Sequence, residues 1–183
     1  MKSIRYIALL RGINVGGNNI IKMADLKACF ESMKFANVVT YIQSGNVLFD
    51  SLEEDKETLV GLIEKTLSTQ FNYSSKIVLI TADHLRETVS DAPSGFGQNF
   101  EEYKYDVLFL KEPLVAKEAL GSLKLRDGVD NAYAGNGVLY FSRRIKDLTK
   151  SYLSKVILLP IYKNMTIRNW NTTTKLLSLA NPQ

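Results

Sequence analysis

Cysteine, histidine and tryptophan each occur once in the 183 residues, as Cys29, His84 and Trp170. A single cysteine excludes an internal disulfide, and one cysteine with one histidine cannot supply a Cys/His zinc site. A Ser-His-Asp triad would have to use His84, and no GxSxG pattern accompanies it. Carboxylates are scattered along the chain without an obvious catalytic pair. The sequence therefore indicates no metal site and no cofactor, and it does not reveal whether a reaction is catalysed.

Long apolar runs are also absent. No run approaches the roughly 20 residues that a helix needs to span a bilayer, so the sequence predicts no membrane-spanning helix. The start, MKSIRYIALL, is basic and then apolar, as in a signal peptide. Its apolar stretch is short, however, Arg11 follows at once, and no small-residue cleavage pattern comes after it. We therefore predict a first β-strand here and a cytoplasmic protein without a membrane partner.

The order of hydrophobic patterns predicts an α+β fold. Residues 4–11 are apolar on both faces, as in a central strand. A helical stripe, a strand pair around Ser44-Gly45-Asn46, a second helical stripe and a strand over 76–81 follow. This βαββαβ order is that of a ferredoxin-like unit, an alpha-beta plait.

The same order recurs in the second half of the chain, with strands over 105–111, 130–134 and 137–141. There the second helix is predicted from a stripe that stops before Pro160, formed by Leu148, Tyr152, Val156 and Leu159. We predict two tandem ferredoxin-like subdomains, 1–82 and 104–183, joined by a linker helix and loop over 83–103. The linker is rich in turn residues, as in DAPSGFGQNFEEY.

The stretch RGINVGGNN (11–19) is longer than the fold requires, since the corresponding loop in the second half is only Lys111-Glu112-Pro113. In a βαββαβ sheet this loop and the hairpin after the second strand share one end. Glycines permit positive φ and close approach to a ligand, and backbone N–H groups with an arginine fork suit anions. The predicted site residues in this half are Arg11, Gly12, Asn14, Gly16, Gly17, Ser44 and Asn46. The same residues would also suit a capped turn, and the spacing from Gly12 to Gly17 lacks the Lys and Ser/Thr of a P-loop.

A third unusual stretch is TIRNWNTTTKL (166–176). It suits a strand-to-helix junction in which Trp170 is a packed anchor. Alternatively, Arg168 and Asn169 would join the anion site.

Positive charge is concentrated late in the chain. The net charge is +4, yet residues 143–175 carry eight basic side chains and one acidic side chain, Asp147, which gives +7 there. Such a stretch can attract phosphate-bearing partners or form a solvated helix face. Exposed sheet aromatics could bind RNA, and Tyr6 and Phe49 would be the candidates, but the RNP1 pattern is absent.

Three stretches together, LLRGINVGGNN (9–19), TYIQSGNVLF (40–49) and TIRNWNTTTKL (166–176), resemble the bacterial family known as domain of unknown function 1697. The resemblance covers nearly the whole chain. It implies a cytoplasmic bacterial protein of two ferredoxin-like subdomains, and it implies no established activity.

Three hypotheses about function remain open at this point. The first is a protein that binds a small anionic or phosphate-bearing molecule at residues 11–19. The second is a non-specific nucleic-acid-binding module that uses residues 143–175, and the third is a structural or interaction module without a ligand.

Overall fold

A computed structural model describes residues 3–14, 16, 17 and 19–181. We call the stretch RGINVGGNN (11–19) the glycine loop. Two of its residues, Val15 and Asn18, lie outside the described residues. The chain divides into two compact units, one of residues 1–84 and 178–183 and one of residues 85–177.

The described residues form a mixed α+β fold with two four-stranded antiparallel sheets. The strands are β1 (Ile4–Leu10), β2 (Ala36–Tyr41), β3 (Asn46–Ser51), β4 (Ile77–Thr81), β5 (Tyr103–Leu110), β6 (Asp130–Ala134), β7 (Val138–Arg144) and β8 (Met165–Asn169). The helices are α1 (Met23–Ser32), α2 (Lys56–Phe71), α3 (Ala82–Ser90), α4 (Ala116–Gly121) and α5 (Trp170–Ala180). The sheet orders are β2-β3-β1-β4 and β6-β7-β5-β8.

The core of the first unit lies between one face of its sheet and helices α1 and α2. Alternate residues of β1 point to this face, and the stripes of the two helices cover it. Tyr6 and Phe49 pair across β1 and β3, and their rings stack with centroids 5.7 Å apart. Both are fully buried. They are therefore core residues, and their proposed availability for RNA is wrong.

The second unit has no α-helix where the stripe over 148–159 predicted one. Three short 3₁₀ helices stand there, Ile145–Lys150, Leu153–Leu158 and Pro160–Asn164. The buried carboxylate of Asp130 explains the break, because it accepts hydrogen bonds from Ser151 Oγ at 2.5 Å and from the backbone N–H of Tyr152 at 2.8 Å. Ser151 is held extended, with ψ 131°, so the chain cannot continue as one helix.

The segment predicted as a linker is folded as part of both units. Helix α3 begins in the first unit, and the turn over 93–97 packs within the second. Phe96 is buried and meets Tyr105, Tyr140 and Trp170 edge-on, with ring centroids 4.9, 5.4 and 5.1 Å apart. The turn-rich segment over 93–97 is therefore an ordered part of the second unit, packed through Phe96.

Candidate functional site

The glycine loop begins at one end of the first sheet. The backbone N–H of Leu10 donates to Gly45 O at 2.8 Å, and that of Arg11 donates to Lys76 O at 3.0 Å. Arg11 itself is half-buried. The structure thus places the loop, the β2–β3 hairpin and the start of β4 together, as the βαββαβ order predicted.

Asn14 fixes the loop through its side-chain amide. Its Oδ1 accepts from the backbone N–H of Ile21 at 2.8 Å, and its Nδ2 donates to Ile21 O at 3.0 Å and to Gln43 O at 2.8 Å. The residue has φ +53°, a left-handed conformation that asparagine tolerates better than most residues. One amide hydrogen therefore attaches the loop to the hairpin at Gln43, and the other closes the loop onto Ile21 before α1.

A second asparagine cross-links the loop to its own start. Asn19 Nδ2 donates to Gly12 O at 2.8 Å, and the backbone N–H of Asn14 donates to Asn19 O at 3.2 Å. Asn19 also has positive φ, +47°. Side-chain hydrogen bonds to backbone thus hold Asn14 and Asn19 in place within the loop.

The glycines Gly12, Gly16 and Gly17 have φ of +66°, +59° and +78° and are all exposed. A Cβ built at Gly12 or Gly17 would meet no heavy atom of the described part of the chain within 4 Å. Glycine is therefore needed there for backbone conformation, since other residues are strained at positive φ. The surface above these two glycines is open.

Gly45 serves a different purpose, because it makes room for the loop. A Cβ at this position would lie 2.6 Å from Ile13 Cδ1 and 2.9 Å from Leu10 Cβ. Ile13 is 1% exposed and belongs to the core of the first unit. The loop is anchored by a core side chain seated against the hairpin turn.

Ser44 and Asn46 complete the hairpin side of the predicted site. Asn46 is fully buried, and its Nδ2 donates to Tyr41 O at 2.9 Å and to Ser44 Oγ at 3.2 Å. These contacts shape the turn. Direct contact of Asn46 with a ligand stays a prediction, and its burial favours a supporting role.

Arg168 and Asn169 lie in the second unit, where both have local contacts. Arg168 is 6% exposed, and its Nη1 donates to Thr166 Oγ1 at 2.9 Å and to Ile167 O at 2.8 Å. Burial lowers the pKa of Arg168 to about 10, so it stays charged at neutral pH. Asn169 Oδ1 accepts from the N–H of Thr172 at 2.7 Å at the start of α5. The predicted participation of both residues in an anion site stays untested.

The described residues offer few candidate catalytic groups. No group of three or more His, Cys, Asp or Glu side chains in that part of the chain could hold a metal ion. Cys29 is 1% exposed, and burial raises the pKa of its thiol, which disfavours the nucleophilic thiolate. These features give no support to a metal-assisted or cysteine-based reaction.

Several charges of the basic stretch 143–175 have partners within the second unit. Arg143 forms an ion pair with Asp106, and Lys150 with Asp147 at 2.8 Å. Arg168 is buried and Arg143 is largely covered, so these two cations do not belong to an open phosphate-binding surface, whereas Lys150 remains exposed.

A shallow cleft on the second sheet was missed by sequence reasoning. Its cavity volume is about 130 Å³, and it lies between residues 93–96 and the side chains of Tyr103, Tyr105, Asn131, Tyr133 and Ser142. The alternating aromatic and polar residues in YKY (103–105) and NAY (131–133) could have indicated a binding face, but the general preference of strands for tyrosine explains them equally well. Only the register, which aligns Tyr105 and Asn131 with Ser142, brings these residues to one face.

Within the described residues, no helix is both long and apolar enough to cross a bilayer. No curated protein matches the chain. A solved structure of a conserved bacterial protein from Streptococcus pneumoniae is similar, with 27% identity, a TM-score of 0.83, and coverage of 98% of this chain and 100% of that one. A family model matches residues 4–140, three quarters of the chain, so the protein belongs to the family described as "Protein of unknown function (DUF1697)".

Proposed function

We propose that this protein binds a small anionic, phosphate-bearing molecule over the glycine loop of its first unit. The observation that carries the proposal is an open surface at Gly12 and Gly17, in a loop that two asparagine side chains tie to neighbouring backbone. Asn14 and Asn19 bond to the backbone of Gln43 and Gly12, while no heavy atom of the described residues lies within 4 Å of a Cβ built at Gly12 or Gly17. A ligand can approach such a backbone closely without displacing a side chain.

The chemistry of the loop suits an anion. Residues of positive φ can direct successive backbone N–H groups to one side, which forms an anion-binding concavity. The loop leads into α1, whose N-cap residue Lys22 makes no side-chain capping hydrogen bond. Free N–H groups and the positive end of the helix dipole favour phosphate there, and Lys22 is exposed and cationic.

In this proposal Arg11 supplies a guanidinium fork, and the backbone of Gly12, Gly16 and Gly17 supplies N–H donors. Asn14, Ser44 and Asn46 hold the loop in its binding conformation. Nothing in the contacts of Arg168 and Asn169 requires them in the ligand shell. Because Arg168 is buried and Arg143 is paired with Asp106, these two cations give no support to the nucleic-acid alternative.

The test is a titration of isotopically labelled protein with inorganic phosphate, pyrophosphate and ATP. We expect saturable shifts of the glycine amide signals at positions 12, 16 and 17. Arg11→Ala should weaken binding by about 1.5–3 kcal/mol, the scale of a hydrogen bond to a charged group. Lys65→Ala, which removes an exposed charge from α2, is the matched control and should leave affinity unchanged.

Two results would overturn the proposal. One is the absence of saturable shifts in the glycine loop with all three probes. The other is an Arg11→Ala variant that loses stability but binds as well as the parent protein.

We also propose that the two units are a tandem pair of ferredoxin-like subdomains in a cytoplasmic protein. Equivalent sheet orders, β2-β3-β1-β4 and β6-β7-β5-β8, support the repeat. The second unit departs from the ferredoxin-like pattern where 3₁₀ helices stand in place of its second helix. Cell fractionation tests the location.

A further inference from the structure

The cleft of the second unit combines an aromatic wall with polar side chains that are open to solvent. All the residues that line this cleft belong to the second unit, whereas the glycine loop belongs to the first. Tyr133 is 47% exposed and offers a ring surface at its edge. A planar ligand can stack on such a ring without rearranging the sheet.

Tyr105 is the most informative residue of the cleft. It is only 6% exposed, yet its hydroxyl makes no hydrogen bond to any described residue. Although the residue as a whole is buried, its hydroxyl oxygen is not sealed from solvent. Because Tyr105 lines the cleft, a molecule bound there can form a hydrogen bond with this hydroxyl.

Asn131 provides a donor and an acceptor side by side. Its Nδ2 donates one hydrogen to Ser142 Oγ at 3.2 Å. Among the described residues its second amide hydrogen and its Oδ1 have no other partner. An asparagine amide with one N–H and one C=O available matches the adjacent acceptor and donor on the edge of a nucleobase.

The wall opposite the strands is fixed in place. Phe96 is held edge-on by Tyr105, Tyr140 and Trp170. Gly97 has φ +75°, and a Cβ there would lie 2.1 Å from Trp170 Nε1. The cleft is thus preformed, which reduces the ordering cost of binding.

We infer that this cleft binds a nucleobase or an equivalent planar heteroaromatic ring. The ring stacks on Tyr133, its polar edge pairs with the Asn131 amide, and the Tyr105 hydroxyl gives a further hydrogen bond. A cavity volume of about 130 Å³ holds one such ring system.

Calorimetric titration with adenosine and with a single-stranded RNA of six adenosines tests the inference. We expect saturable binding of adenosine that Tyr133→Ala weakens by about 5- to 150-fold, the scale of one base–aromatic stack. Tyr133→Phe should keep most of the affinity, and Asn131→Ala should lose about tenfold or more. Tyr152→Ala is the control, because Tyr152 is an equally exposed tyrosine outside the cleft.

The two probes distinguish the source of the base. Equal affinity for adenosine and for each base of the RNA indicates a free nucleoside or nucleotide, whereas much tighter, cleft-dependent RNA binding indicates a strand. Failure of both probes to bind the folded parent protein would overturn the inference. So would RNA binding that disappears with salt and is unchanged by Tyr133→Ala. Neither result depends on phosphate binding at Arg11.

Discussion

Replacing Asn14 by glycine should test whether the side-chain clamp holds the glycine loop. Asn14→Gly keeps the positive φ of +53° accessible but removes three hydrogen bonds, two with Ile21 and one with Gln43. Each such bond contributes about 0.5–1.5 kcal/mol net. Since the three share one amide and are not additive, we expect the free energy of unfolding of the first unit to fall by about 2–3 kcal/mol.

Asn19→Gly is the matched control for this change. Asn19 has a similar φ of +47°, but its side chain makes a single exposed bond, to Gly12 O. The entropy that glycine adds to the unfolded chain is the same in both variants. We therefore expect Asn19→Gly to cost about 1 kcal/mol less than Asn14→Gly.

Urea unfolding monitored by circular dichroism measures both variants, and hydrogen exchange locates the effect. The backbone N–H of Ile21 donates to Asn14 Oδ1, so its exchange should accelerate in Asn14→Gly and not in Asn19→Gly. Equal losses of stability in the two variants, or unchanged protection of Ile21, would refute the clamp.

Three other substitutions probe the framework around the two candidate sites. Gly45→Ala should destabilise the first unit by about 2–4 kcal/mol, because its Cβ overlaps Ile13 and φ is +77°; melting curves of the isolated variant measure this. Asp130→Asn should cost about 2–4 kcal/mol, since an amide cannot accept all the bonds of the carboxylate, and circular dichroism with denaturant checks it. The Tyr140 hydroxyl donates to Thr88 O, and burial raises the pKa of Tyr140 from 10 to about 12. The protonated hydroxyl therefore stabilises the folded protein fully below pH 10, and this stabilisation is lost as the pH rises from 10 to 12. Tyr140→Phe should therefore be less stable than the parent at pH 8, with a smaller deficit at pH 11; an unchanged deficit would contradict this account.

Local patterns identified the strands and the loop because both depend on residues close in sequence. Gly45 adopts φ of +77° in the first hairpin, within the turn sequence Ser44-Gly45-Asn46 that predicted this hairpin. The apolar run of β1 was recognisable because both of its faces are buried.

The α-helix predicted from the apolar stripe over 148–159 is absent because of a contact with a residue far away in the sequence, which local periodicity does not report. Asp130 lies about twenty positions upstream and redirects the backbone at Ser151 and Tyr152. Asp130 comes close to Ser151 and Tyr152 only in the folded protein, so the sequence pattern alone could not show that the helix would be interrupted there.

The candidate site shows the same limit at the level of side chains. Asn14 was selected as a polar ligand group, and a hydrogen-bonding amide is indeed what the position requires. Its partners, however, are backbone atoms of Ile21 and Gln43. Sequence identifies the need for a donor and an acceptor, and only three-dimensional structure identifies what they bind.

The single tryptophan makes the second unit visible by itself in spectroscopy. Trp170 is half-buried, and its ring meets Phe96 on the wall of the cleft. Indole emission from the whole chain therefore comes from one known position, and selective excitation reports the turn over 93–97 without labelling. Changes in its wavelength, lifetime or quenching by acrylamide would follow opening of that wall in real time, with no contribution from any tryptophan of the first unit.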